Sequence, residues 1–182
     1  MEQIVEILNN DGVIIYPTDT IWGIGCKATS VQAIEKIFEI KKREKNKSLI
    51  ILVESEKRLQ SIVEVPQAAW DIMDLSEKPV TIIYDNPKGL PRELLASDGS
   101  IGIRLTKDPY LKKLIGKIDC PLVSTSANLS GSPSPMKFSD IDSQLLLQVD
   151  YTETEKRDEV SIYSGSSIIR IWEDSRIKVI RE

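Results

Sequence analysis

Lys41, Lys42, Arg43, Lys45 and Lys47 place five of the chain's 24 basic residues in one stretch of a protein with net charge −4. The segment before it, Ser30 to Ile40, carries Ile34, Ile37 and Phe38 at helical spacing behind Ser30, a residue suited to an N-cap. Lys41 is the next position on that apolar stripe. A lysine on a core-facing stripe points inward or into a cleft, where an ammonium is costly unless paired. A polyphosphate is a fitting partner. The alternative is a solvated helix end, where cations favour the negative end of the helix dipole. A second polar segment comes after a strand predicted at Pro121–Ser124. If the chain stays extended, Ser124, Ser126 and Asn128 share one face, in a row about 13 Å long at ~3.3 Å per residue. Two hydroxyls and an amide in a row suit phosphate oxygens, ribose hydroxyls or a purine edge. Ordinary turn chemistry explains the same residues.

Composition narrows what those groups can do. The chain has 182 residues, enough for a single domain over 1–182 with a sizeable core. There is no histidine, which removes imidazole bases, His-based triads and His-ligated zinc. Catalysis would rest on Lys, Arg, hydroxyls, carboxylates, backbone dipoles or a metal carried by the substrate. Cys26 and Cys120 form no CxxC pair and no disulfide framework. No apolar run approaches a membrane span, and the acidic N-terminus lacks the basic region of a signal peptide, so the expected location is cytoplasmic, away from membranes. A pI near 5.1 argues against wholesale coating of nucleic acid and leaves room for a local basic cleft.

Hydrophobic patterning supplies the elements that would position these groups. Helical spacing at Ile4, Val5, Ile7 and Leu8 ends at Asp11-Gly12. Strands are predicted at 13–16, 49–53, 80–84, 101–105, 121–124, 167–172 and 176–181, the last two as a hairpin. Between the first strand and the helix ending near Lys41 lies a polar, glycine-containing loop, Thr18 to Cys26. Ser55 and Pro66 open two short helices. Asp108-Pro109 caps a helix through Ile115. Residues 85–100 read as an irregular connection or short hairpin. Ser139 to Val149 reads as one amphipathic helix, and Glu153 to Glu159 as a mobile surface loop. Alternating strands and helices give an α/β class.

Taken together, six segments resemble the threonylcarbamoyl-AMP synthase family, the YrdC-like domain, over almost the whole chain. They are Tyr16-Pro17-Thr18-Asp19-Thr20 with Gly23-Ile24-Gly25, Lys41-Lys42-Arg43, Gly102-Ile103-Arg104, Ser126-Ala127-Asn128, Ser166-Ser167-Ile168-Ile169 and Ile180-Arg181. The resemblance implies a short-form member with a twisted, open mixed α/β sheet of the YrdC-like (DHBP synthase-like) type and a concave ligand cleft. It implies that L-threonine, bicarbonate or CO2 and ATP are joined into threonylcarbamoyl-AMP and pyrophosphate. That product serves the threonylcarbamoyl modification of tRNA adenosine next to the anticodon, so tRNA and downstream tRNA-modification proteins are implied partners.

Such chemistry asks chiefly for charge neutralisation and alignment. By the resemblance, Lys41 and Arg43 hold the triphosphate, with Mg2+ brought by ATP and no prosthetic group. Ser124, Ser126, Asn128 and Arg181 face the nucleotide. Thr18, Thr20, Arg104 and Lys47 serve the threonine. Arg104 is otherwise explained by a structural salt bridge, Thr18 and Thr20 by loop capping, Lys47 by simple exposure, and Asp19 by an Asx-turn. The chain departs from the family pattern at Glu44 and Ser48, where prolines are usual, and at Arg170, where an aspartate is common. The competing expectation is a non-catalytic YrdC-like paralogue that holds RNA or senses a ligand. Few aromatics (5 %) for stacking bases weigh against the RNA version.

Overall fold

The computed structural model describes residues 1–44, 49–174 and 176–182. They comprise, in chain order, α1 (Glu2–Asn9), β1 (Ile14–Tyr16), β2 (Gly23–Gly25), α2 (Val31–Lys41), β3 (Ile50–Val53), α3 (Glu56–Ile62), α4 (Gln67–Leu75), β4 (Val80–Tyr84), β5 (Ile101–Leu105), α5 (Pro109–Ile118), β6 (Leu122–Ser126), α6 (Ser143–Leu146), β7 (Tyr151–Thr152), β8 (Ser167–Ile171) and β9 (Ile177–Arg181). The strands join in one mixed sheet in the order β7-β1-β2-β6-β3-β5-β4-β8-β9. Pairing is parallel at β1–β7, β3–β5 and β4–β8 and antiparallel elsewhere. Among the described residues, no helix is long and apolar enough to cross a membrane.

The helices begin where side chains can cap them. Ser30 Oγ accepts from Ala33 N at 3.2 Å, Ser55 Oγ from Arg58 N at 3.2 Å and Asp108 Oδ1 from Leu111 N at 3.0 Å, each cap being worth about 1 kcal/mol. The end of α2 has the larger consequence for the cleft. Lys42 takes a left-handed conformation (φ 50°), and the amides of Lys42 and Arg43 bond back to Glu39 O and Phe38 O. The chain therefore turns sharply after Lys41. Lys41 stays on the buried helical face with Ile34, Ile37 and Phe38, and Arg43 leaves in a new direction.

Three sequence expectations are corrected here. Residues 23–25 sit inside the predicted polar loop but form β2, which pairs with both β1 and β6. The helix expected over 139–149 is a 3-10 turn at Phe138–Asp140 followed by the four-residue α6, because Asp142 caps Gln144 N and starts a new turn. The charged stretch from Glu153 is anchored. Glu153 is buried, accepts from the Tyr110 hydroxyl and from the amides of Thr154 (2.7 Å) and Glu155 (3.4 Å), and these bonds hold its carboxyl below the usual range against the cost of burial. Arg157 donates to Glu153 O at 2.9 Å and stacks over Phe138, whose ring meets Trp22 edge-on at 5.2 Å. The unusual Arg170 binds Asp85 and Asp98 at 2.6 Å each, tying β8 to the loops flanking β4 and β5.

Gly25 marks the tightest approach in the sheet. A Cβ there would stand 1.9 Å from Val123 O and 3.0 Å from Tyr16 Cε1. A backbone carbonyl cannot rotate aside, so Gly25→Ala is expected to cost roughly 3 kcal/mol or more, lowering the melting temperature by roughly 6–12 °C. A thermal melt within about 2 °C of the parent would show that the sheet yields there.

Candidate active site

Strand alternation builds the floor of a cleft of about 440 Å³. Ile50 on β3, Thr81 and Ile83 on β4, Gly102 and Arg104 on β5, Ser124 and Ser126 on β6 and Ile168 on β8 all line it. Register brings them side by side, since Ile50 lies opposite both Gly102 and Ser124, and Gly102 opposite Ile83. Gly102 leaves the centre open, because a Cβ there would sit 2.9 Å from Ile50 Cγ2 and 3.2 Å from Thr81 Cγ2. Thr18, Thr20 and Ile21 form one wall, Arg43 and Leu49 enter from the α2 side, and Ser166 and Arg181 close the β9 side.

Charge distinguishes this cleft. Arg43, Arg104 and Arg181 line it, and no carboxylate does among the described residues. A larger groove of about 660 Å³ beside α2 mixes Arg92 with Glu35 and Glu93 and has no such bias. Burial alone lowers the proton affinity of Arg43. Burial, then the charge of Arg104, does the same to Arg181. Both remain cationic at neutral pH, since arginine loses its proton only far above it.

Each cation is held differently. Arg104 is 3 % exposed. Its Nη1 donates to Thr20 Oγ1 at 3.2 Å and its Nη2 lies 3.2 Å from Asp19 Oδ1, yet its buried Nε has no hydrogen-bond partner among the described residues. A buried donor without a partner is expensive in a finished site and natural in one awaiting a ligand. Thr18 Oγ1 donates to Ile21 O at 2.7 Å, accepts from Thr20 N at 3.0 Å and lies 3.0 Å from Thr20 Oγ1. The two threonines thus hold the loop and, through Thr20, orient Arg104. Arg181 lies across the Ser166 carbonyl, bonded through Nε (3.0 Å) and Nη2 (2.7 Å). Gly165 (φ 150°) permits this, since a Cβ there would meet Arg181 Nη2 at 2.9 Å.

Lys41 is placed differently from the expectation that it holds a phosphate in the cleft. Its side chain is 1 % exposed, and Nζ donates to Ser126 O, to Asn128 O at 2.6 Å and to Asn128 Oδ1 at 3.2 Å. Burial, then the nearby charge of Arg43, lowers its pKa to about 7. Asn128 is also turned inward. Its Oδ1 accepts from Ser126 Oγ as well as from Lys41, and its Nδ2 donates to Ser132 O. Lys47 and Ser48 lie outside the described residues.

Thus Thr18, Thr20, Arg43, Arg104, Ser124, Ser126 and Arg181 all line one cleft, with Lys41 and Asn128 immediately behind it. Sequence reasoning passed over Thr81, Ser134 and the space above Gly102. A glycine inside a β-strand, flanked by Ile101 and Ile103, was the available signal for that space. Among the described residues, no group of three or more Cys, Asp or Glu is arranged to hold a metal ion.

The Sua5/YciO/YrdC family model, described as telomere recombination, matches residues 6–182. The chain belongs to this family. A putative threonylcarbamoyl-AMP synthase of Methanocaldococcus jannaschii is 38 % identical over 178 residues, covering 97 % of this chain and 82 % of the relative. A threonylcarbamoyl-AMP synthase of Xanthomonas axonopodis pv. citri is 31 % identical over 154 residues, covering 82 % of each. Among solved structures, E. coli YciO superposes with a TM-score of 0.82 at 28 % identity, covering 99 % of this chain and 87 % of YciO. P. abyssi Sua5 complexed with L-threonine gives 0.83 at 23 % identity over 93 % of this chain, which spans 50 % of that Sua5 chain. These likenesses share the twisted, open mixed sheet described above.

Proposed function

We propose that the cleft joins L-threonine, bicarbonate and ATP into threonylcarbamoyl-AMP, the activated intermediate for the threonylcarbamoyl modification of tRNA adenosine. The observation that carries this reading is the convergence of three guanidiniums on one cleft whose lining, among the described residues, holds no carboxylate, over an open floor of small and hydroxyl side chains in a chain of net charge −4. The threonine amine and bicarbonate give a carbamate and water. A carbamate oxygen then forms a bond to the α-phosphorus as the bond to pyrophosphate breaks. Both partners are anionic and charge builds on the leaving pyrophosphate, so fixed cations serve the step better than a proton carrier.

The roles follow from position. Arg43, entering from the end of α2, meets the polyphosphate with its planar fork, and Mg2+ arrives bound to ATP. Arg104, with its partnerless Nε, receives the carboxylate or carbamate. Ser124 and Ser126 offer hydroxyls to the nucleotide, and Arg181 closes that side. Nucleotide and amino acid share one cavity, so ATP and threonine are expected to tighten each other's binding by the same factor.

The test omits ATP, threonine and bicarbonate in turn while pyrophosphate is followed. Release that needs all three supports the synthase. Binding of ATP without release in the full mixture would make the cleft a sensor, and RNA binding without ATP binding would make it an RNA module.

A further inference from the structure

An ammonium has three N–H donors, and Lys41 Nζ faces three oxygens: Ser126 O, Asn128 O and Asn128 Oδ1. Its donors are therefore filled by protein before any ligand arrives. The acceptors sit on Ser126, the last residue of β6, which lines the cleft, and on Asn128 in the loop that leaves it. The main chain closes the same contact from the other side, since Ser130 N donates to Lys41 O at 3.0 Å. Asn128 extends the tie through Nδ2 to Ser132 O. The left-handed turn at Lys42 separates two jobs, with Lys41 held on the buried face of α2 and Arg43 at the cleft.

We infer that Lys41 is a positioning residue, which fastens the 126–132 loop to the end of α2 so that the loop is preset for nucleotide, and that it does not itself touch the phosphates. The inference rests on the nucleotide-binding reading above. The lysine and the asparagine, two polar residues that look like ligand contacts in the sequence, instead form one rivet behind the site. Charge at Lys41 comes at the cost of burial and of the neighbouring Arg43, the cationic group that faces it. The oxygen cage compensates for that cost.

Lys41→Met keeps an unbranched side chain only one heavy atom shorter and removes its donors. In the ligand-free variant, amide exchange at Asn128, Ser130 and Ser132 is expected to quicken at least about tenfold while β4 amides keep their protection. In steady state, KM for ATP is expected to rise about tenfold with kcat within about threefold of the parent, the pattern of a lost binding geometry. Unchanged loop protection would overturn the inference. So would a kcat loss of about a hundredfold at saturating ATP, which would put the ammonium on the transition state. Should Lys41→Met not fold, 15N-lysine NMR of the wild type at pH 6, below the group's pKa of about 7, decides the matter. The Lys41 ammonium is expected to be shielded from solvent exchange before ATP is added. Shielding that appears only with ATP would contradict the inference. If the wild type neither binds ATP nor releases pyrophosphate, the functional reading falls, while the exchange and NMR measurements still decide what Lys41 holds.

Discussion

Alanine at Arg43 is expected to slow pyrophosphate release by roughly a thousandfold, the scale on which charge-stabilising groups act in phosphoryl and acyl transfer. The guanidinium stands at the cleft on the far side of the α2 turn, placed to meet charge that grows as pyrophosphate leaves. Arg43 lies off the apolar face of α2, so its truncation leaves the core intact, and the melting temperature is expected to move by less than roughly 4 °C. Lysine at this position restores the charge but not the planar fork, and is expected to recover only part of the rate. A variant with near-normal release would remove Arg43 from the mechanism.

The second large effect is at Arg104. Arg104→Lys retains one positive charge and abandons the geometry that reaches Thr20 and Asp19 together while leaving Nε for a ligand. The expected outcome is a loss of about a hundredfold in kcat/KM for threonine, with ATP affinity within about threefold of the parent, because the defect is confined to the amino-acid end. Calorimetry with ATP and initial rates against threonine separate the two ends. Equal losses for both substrates would mean that Arg104 braces the sheet.

The parts of this molecule that were legible in the sequence are those governed by local rules. Continuous apolar runs such as 13–16 and 80–84 became strands, and Ser30, Ser55 and Asp108 capped helices as their side chains permit. β2 was hidden because Gly23-Ile24-Gly25 has little strand propensity. It exists because Tyr16 and the Val123 carbonyl leave room there for glycine and little else. The acidic-looking Glu153 was misjudged for a related reason. Its burial depends on Tyr110, forty-three positions away, and no local pattern reports that.

The site shows the same division. Strand alternation singled out Ser124 and Ser126, the family resemblance added Arg43, Arg104 and Arg181, and the sheet brings all five to one cavity. The resemblance gave Lys41 and Arg43 the same job. One left-handed residue between them sends their side chains to different places, and that is a property of backbone conformation at Lys42. Strand alternation likewise carried Ser124 and Ser126 onto the cleft floor, whereas Asn128 left the strand and bonded back to it.

The most direct measurement is the mass of the nucleotide product made from ATP, L-threonine and 13C-bicarbonate. The account predicts threonylcarbamoyl-AMP carrying one heavy carbon, formed in step with pyrophosphate. A product without threonine, or pyrophosphate released with no heavy carbon in the adenylate, would contradict it.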